Sequence, residues 1–140
     1  MSRHLSVRVG EDLYEQLEAQ SRRSGQSRSA VAKQLLEEGL RMEQHPGIVF
    51  RSGPGGRRAG LMGGPDVWEV AGALRGGDGG TADSLADIGE RTGLTADQIG
   101  AALRYYADYT DEVSGWMRRV EEEAERAETR WRREQALLGR

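Results

Sequence analysis

The sequence predicts a mainly α-helical chain with a short β ribbon. In order, it reads as an N-terminal ribbon with two helices, a small β-hairpin plus helical domain of helix-turn-helix outline, and a long C-terminal helix. Three observations carry this. Residues 2–9 alternate apolar and polar side chains, the period of a half-buried strand. Most later segments space their apolar residues three or four apart, the period of a helix with one buried face. Between 44 and 65 the pattern becomes short apolar runs separated by Gly and Pro. The predicted division is 1–44, 45–110 and 111–140.

Leu5, Val7 and Val9 fall on one face of the first segment, and His4, Ser6 and Arg8 on the other. Gly10 ends it. Glu11 and Asp12 then put negative charge where a helix dipole favours it, at an N-terminus. Leu13 and Leu17 form one helical face, and Gly25 stops that helix after Ser24. Ser27 has the chemistry of an N-cap for the next helix. Val31, Leu35, Leu36 and Leu40 give that helix an apolar face to about Met42.

Ile48-Val-Phe50, the Pro54 turn cluster from Ser52 to Gly56, and Arg57 to Met62 read as a hairpin. Asp66 with Glu69 has the spacing of a capping box for a helix to about Arg75. Gly76 to Gly80 reads as a loop. Leu85 and Ile88 lie on a helix that Gly93 ends, and Thr95 with Gln98 is a second capping box. The helix it opens carries Ile99, Ala102, Leu103 and Tyr106. Thr110 is the expected cap of the last helix, which is rich in Glu and Arg. Trp116, Val120, Ala124, Ala127 and Trp131 form its sparse apolar stripe. Of Tyr105, Tyr106 and Tyr109, one or two are expected in the core and the rest over a helix surface.

Composition narrows the function. With no cysteine, neither a disulfide frame nor a thiolate metal site is available. His4 and His45 are too far apart in sequence to suggest a metal site, and no cofactor is expected. No apolar run has the length of a signal peptide or membrane span, so a cytoplasmic protein without membrane contact is expected. No nucleophile, nucleotide fingerprint or metal spacing points to an enzyme. The net charge of −3 means that any contact with nucleic acid must come from a local patch.

The N-terminal strand explains what that patch is. A single strand leaves both edges unpaired, and a unit of about 45 residues is near the limit for a monomeric core. Antiparallel pairing with a second copy removes one edge from each. It turns Leu5, Val7 and Val9 of both copies onto the helices, where Leu13, Leu17, Val31 and Leu35 complete a dimer core. His4, Ser6 and Arg8 of both copies then face outward together, on a ribbon that the major groove of B-DNA admits.

The stretch Leu5-Ser-Val-Arg-Val, Leu13 to Leu17, and Gly25-Gln-Ser27-Arg28-Ser29 resembles the ribbon-helix-helix repressors of the Arc, MetJ and CopG type. The resemblance covers about a third of the chain. It implies a homodimer on double-stranded operator DNA, and leaves open whether dimers assemble further there. It makes His4, Ser6 and Arg8 the base contacts. It places phosphate at Arg3, Ser27, Arg28 and Ser29, held by the free amides after the cap and by the Arg28 side chain. Arg51, Arg57 and Arg58 are candidates for further contacts to the DNA backbone.

Residues 45–113 resemble a helical domain found in bacterial antitoxins. The residues are His45-Pro-Gly-Ile-Val-Phe, Arg57-Arg58-Ala, Asp66-Val-Trp-Glu-Val and Ala102-Leu-Arg-Tyr-Tyr-Ala. This VapB-like resemblance implies an antitoxin that represses its own operon and neutralises a PIN-like ribonuclease toxin. Trp116, Val120, Ala124, Ala127 and Trp131 are then the partner-binding residues. The alternative is a stand-alone transcription factor whose C-terminal domain oligomerises or senses a ligand. A third reading is an interaction module whose ribbon only dimerises. The surface of the helix after Gly93 is nearly neutral, with Asp97, Gln98 and Arg104, and favours packing over DNA reading.

Overall fold

A computed structural model describes residues 1–76 and 85–139. The chain divides into two compact units, Met1–Gln44 and His45–Arg140.

In the first unit, α1 spans Glu11–Ser24 and α2 spans Arg28–Gln44. Gly25 ends α1 at φ 69°, a left-handed conformation that a Cβ would disfavour. Ser27 caps α2, its Oγ accepting the Ala30 N–H at 3.1 Å. The two helices pack on each other. Residues 1–10, expected as a strand, take no regular secondary structure in the single chain and are exposed throughout. The physical reason is that a strand is defined by a hydrogen-bonded neighbour, and among the described residues nothing pairs with this segment.

In the second unit, β1 (Ile48–Gly53) and β2 (Gly56–Leu61) form the expected antiparallel hairpin, with Gly53 opposite Gly56. Pro54 and Gly55 make the two-residue turn. The remaining elements are α3 (Val67–Arg75), α4 (Leu85–Thr92), α5 (Ala96–Asp108) and α6 (Thr110–Leu137). Both capping boxes form. The Glu69 carboxylate accepts the Asp66 N–H at 2.7 Å. Thr95 N–H donates to Gln98 at 2.9 Å, and Gln98 N–H donates to the Thr95 hydroxyl at 3.2 Å. After Gly76, the predicted glycine loop lies outside the described residues.

The core of this unit joins Ile48 and Leu61 of the hairpin, Val67 and Val70 of α3, and Ala102 and Tyr105 of α5. Tyr105 is fully buried and its hydroxyl donates to Glu112 at 2.6 Å, while Tyr106 and Tyr109 are half-buried around it.

Two expectations for the last helix are corrected. Thr110 does not cap α6. It is already helical, and its hydroxyl donates back to the Tyr106 and Ala107 carbonyls of α5 at 2.9 and 3.2 Å. Nor is the whole helix too polar to be buried, as its Glu and Arg content suggests: Val113 and Met117 are in the core, because the first two turns of α6 pack on α3 and α5. Residues 121–134 are exposed without exception.

Candidate nucleic-acid interface

The first ten residues contain Arg3 and Arg8 and no acidic side chain, so a chain of net charge −3 starts with a locally positive segment. All of Arg3, His4, Ser6 and Arg8 are exposed. The alternate residues are exposed as well, Leu5 at 70%, Val7 at 68% and Val9 at 45%. Three aliphatic side chains left in water at every second position amount to an uncovered apolar face. Burying one such side chain contributes roughly 1.5–3 kcal/mol.

The helices carry exposed apolar side chains as well. Leu13, Leu35, Leu36 and Leu40 are exposed at 54%, 46%, 54% and 62%. Of the residues expected in the dimer core, Val31 is buried and Leu17 is half-buried within the single chain. A unit whose leucines face outward on two adjacent helices is built to receive an equal apolar surface.

The start of α2 is the second component. In the first helical turn the backbone amides have no intrahelical acceptor. Ser27 satisfies that of Ala30, leaving those of Arg28 and Ser29 at the positive end of the helix dipole, where phosphate is favoured. The Arg28 guanidinium, expected to reinforce this clamp, is engaged within the unit. It donates to the Tyr14 hydroxyl and lies 3.0 Å from Glu18, with its carbon 5.2 Å from the Tyr14 ring centroid. This exposed ion pair ties α2 to α1. Removing the cap by Ser27→Ala is expected to lower stability by about 1 kcal/mol, read from the urea unfolding midpoint. An unchanged midpoint would show that the hydroxyl does not serve α2.

The arginines of the hairpin are used differently from expectation. Arg51 and Arg58 stand opposite each other across the strands. Two cations so placed repel unless an anion sits between them. Asp66 is that anion: it is buried, with one oxygen 3.0 Å from the Arg51 guanidinium, the other accepting from Arg58 Nε, and Trp68 Nε1 at 3.2 Å. Arg57 donates to the Ser52 hydroxyl at 3.0 Å. Arg51 and Arg58 thus hold the fold, a role the sequence reading missed. The signal was present in the hairpin register, which puts two arginines side by side.

Two further arrangements were not anticipated. His45 is buried, with Nε2 2.9 Å from Asp108 and edge-on to the rings of Tyr105 and Tyr109. A cleft of about 490 Å³ lies between the hairpin tip, the start of α3 and α6, with Trp68, Trp116 and Val120 in its wall. Trp116 lies against Gly55, where a Cβ would come within 3.0 Å of the indole. Arg119 covers the other face at 3.9 Å. Thus Trp116 and Val120, two of the expected partner-binding residues, pack along the body of their own unit, whereas Ala124, Ala127 and Trp131 stand on the exposed part of α6. Among the described residues, no helix is long and apolar enough to cross a membrane, and no three metal-binding side chains converge.

No curated protein and no solved structure matched the chain. Residues 3–43 match the family model described as ribbon-helix-helix protein, copG family, over the segment that contains the exposed alternating residues, α1, the Ser27 cap and most of α2; the match does not extend to residues 45–113. Residues 3–43 are therefore similar to copG-family ribbon-helix-helix proteins, a likeness that points to a DNA-binding regulator of transcription.

Proposed function

We propose that the protein is a sequence-specific repressor that binds operator DNA as a homodimer through residues 1–10. The observation that carries this reading is the exposed alternation in the first ten residues. Leu5, Val7 and Val9 ask for a second apolar face, and in a paired strand the pleat puts His4, Ser6 and Arg8 on the opposite side. In this reading Arg8 donates two hydrogen bonds to a guanine, Ser6 reads either kind of base pair, and His4 completes the row. Arg3 and the first-turn amides of α2 at Arg28 and Ser29, next to the Ser27 cap, hold the phosphates that set the register.

Arg8→Ala is expected to weaken specific binding by about 1–3 kcal/mol and to leave the dimer folded. The measurement is a salt titration of binding to the protein's own upstream DNA against random DNA of equal length. Equal affinity of variant and parent for the upstream fragment would remove Arg8 from the base contacts. Weak binding, equal for both fragments and lost as salt rises, would mean phosphate attraction alone. The ribbon would then serve dimerisation.

The finer reading is that this repressor is an antitoxin, neutralising a PIN-like ribonuclease through its C-terminal unit. It rests on the resemblance of residues 45–113 and is supported by the exposed length of α6. Co-purification with the product of an adjacent toxin gene tests it. The informative truncation starts at residue 121, because removing 111–140 would take Val113 and Met117 out of the core. Loss of residues 121–140 is expected to spare operator binding and abolish toxin capture. Retained capture would move the toxin site to the body of the unit.

A further inference from the structure

One face of the hairpin is bare of side chains except for two arginines and a valine. The register puts Arg51 opposite Arg58 and Gly53 opposite Gly56, with Gly60 two residues beyond Arg58 on the same side. The arginines fold down onto the glycines. Arg58 lies across Gly53 and Arg51 across Gly60, where a Cβ would collide with each guanidinium. Both guanidinia line the cleft of about 490 Å³, which Trp68 and Trp116 also line. That volume falls within the roughly 300–1,000 Å³ of small-molecule sites.

The inner part of this cleft has positive charge to spare. Arg51 and Arg58 share one carboxylate, Asp66, so one of the two charges is uncompensated. Both side chains remain partly open, at 34% and 24% exposure. Arg58 uses its Nε on Asp66, and Arg119 of α6 gives its Nε to the Gly115 carbonyl at 3.3 Å. The terminal nitrogens of both meet no acceptor among the described residues. The other two carboxylates of the cleft do not cancel this charge. Glu69 turns back to the Asp66 N–H, and Glu123 stands on the exposed rim, where water weakens its field.

We propose that this cleft binds a small planar aromatic carboxylate. The terminal nitrogens of Arg58 and Arg119 take its carboxylate, for which a guanidinium offers a matching fork of donors. Its ring lies against the Trp68 and Trp116 indoles and the flattened guanidinia, surfaces that favour an aromatic plane over an aliphatic one. A single surplus charge on the inner surface suits a monoanion. The second unit thereby has a ligand of its own, and this inference does not rest on operator binding.

The test is a titration of the full chain with naphthoate, followed through the tryptophan indole N–H signals in proton–nitrogen correlation spectra. Trp131, on the exposed part of α6, is the internal control. Saturable shifts at Trp68 and Trp116 are expected, with Trp131 unmoved. Naphthalenemethanol, which keeps the ring and lacks the charge, is expected to bind about tenfold more weakly or worse. Decalin carboxylate, which keeps the charge and lacks the flat ring, is also expected to bind more weakly. Arg119→Gln removes a rim cation that carries no contact to another element. It is expected to weaken naphthoate about tenfold, with circular dichroism confirming the fold. No saturation, or equal affinity for naphthoate and the alcohol, would overturn the proposal. So would shifts as large at Trp131 as in the cleft, or parental affinity in a folded Arg119→Gln. The three-ligand comparison on the parent chain needs no variant, and DNA is absent throughout, so the outcome is separate from that of the operator titration.

Discussion

Val7→Asp is expected to abolish dimerisation and operator binding together. Val7 is 68% exposed in the single chain, midway along the row of Leu5, Val7 and Val9. Pairing two copies brings both Val7 side chains onto the four helices. A carboxylate placed there is taken from water with no cation to meet it, because the facing positions are leucines and valines. The cost is on the order of several kcal/mol per buried charge, and symmetry applies it twice. Against this, a small domain has roughly 5–15 kcal/mol of total stability. Sedimentation equilibrium checks the dimer, and the upstream-DNA titration checks binding. The second unit has its own core and is expected to stay folded, so near-ultraviolet circular dichroism from Trp68 and Trp116 should persist. A variant that remains dimeric with parental affinity would show that this face is not buried in the dimer.

Asp66→Ala is expected to destabilise the second unit by about 3 kcal/mol, the lower end of what breaking a buried pair costs. Asp66 is 6% exposed and holds Arg51 and Arg58, whose side chains keep 34% and 24% of their exposure. That partial access to water is why the lower end applies. Removing the carboxylate leaves two guanidinia facing each other across the hairpin and the Trp68 N–H without its acceptor. Thermal unfolding of the full chain checks this. The substitution is expected to lower the transition of the second unit and to spare operator binding, which the proposed function assigns to the first. Stability equal to the parent would mean that the arginines find water as readily as they find Asp66.

Elements with strong local signals were legible in the sequence. The ends of α1, the Ser27 cap, the hairpin, both capping boxes and the stop at Gly93 each depend on two to four neighbouring residues. The apolar stripe of α6 was legible too, but not how much of it is buried. Val113 and Met117 went unremarked because a helix so rich in Glu and Arg reads as solvated. Their burial depends on α3 and α5, which arrive from elsewhere in the chain. Thr110 illustrates the opposite error: its type suits a cap, yet the preceding helix runs almost directly into α6 and offers its carbonyls first.

The alternation of residues 2–9, by itself, assigned the side chains that share a face once the segment pairs as a strand, because the pleat follows from a period of two; the single chain forms no strand there. The periods and caps likewise determined where the described helices run. Only the tertiary structure decided what the long-range pairs do. It placed Asp66 between Arg51 and Arg58, His45 against Asp108, and Trp116 against Gly55. The reason is one of distance along the chain. Periodicity and capping act within one or two helical turns, whereas an ion pair or ring contact between remote residues exists only once the intervening elements have packed.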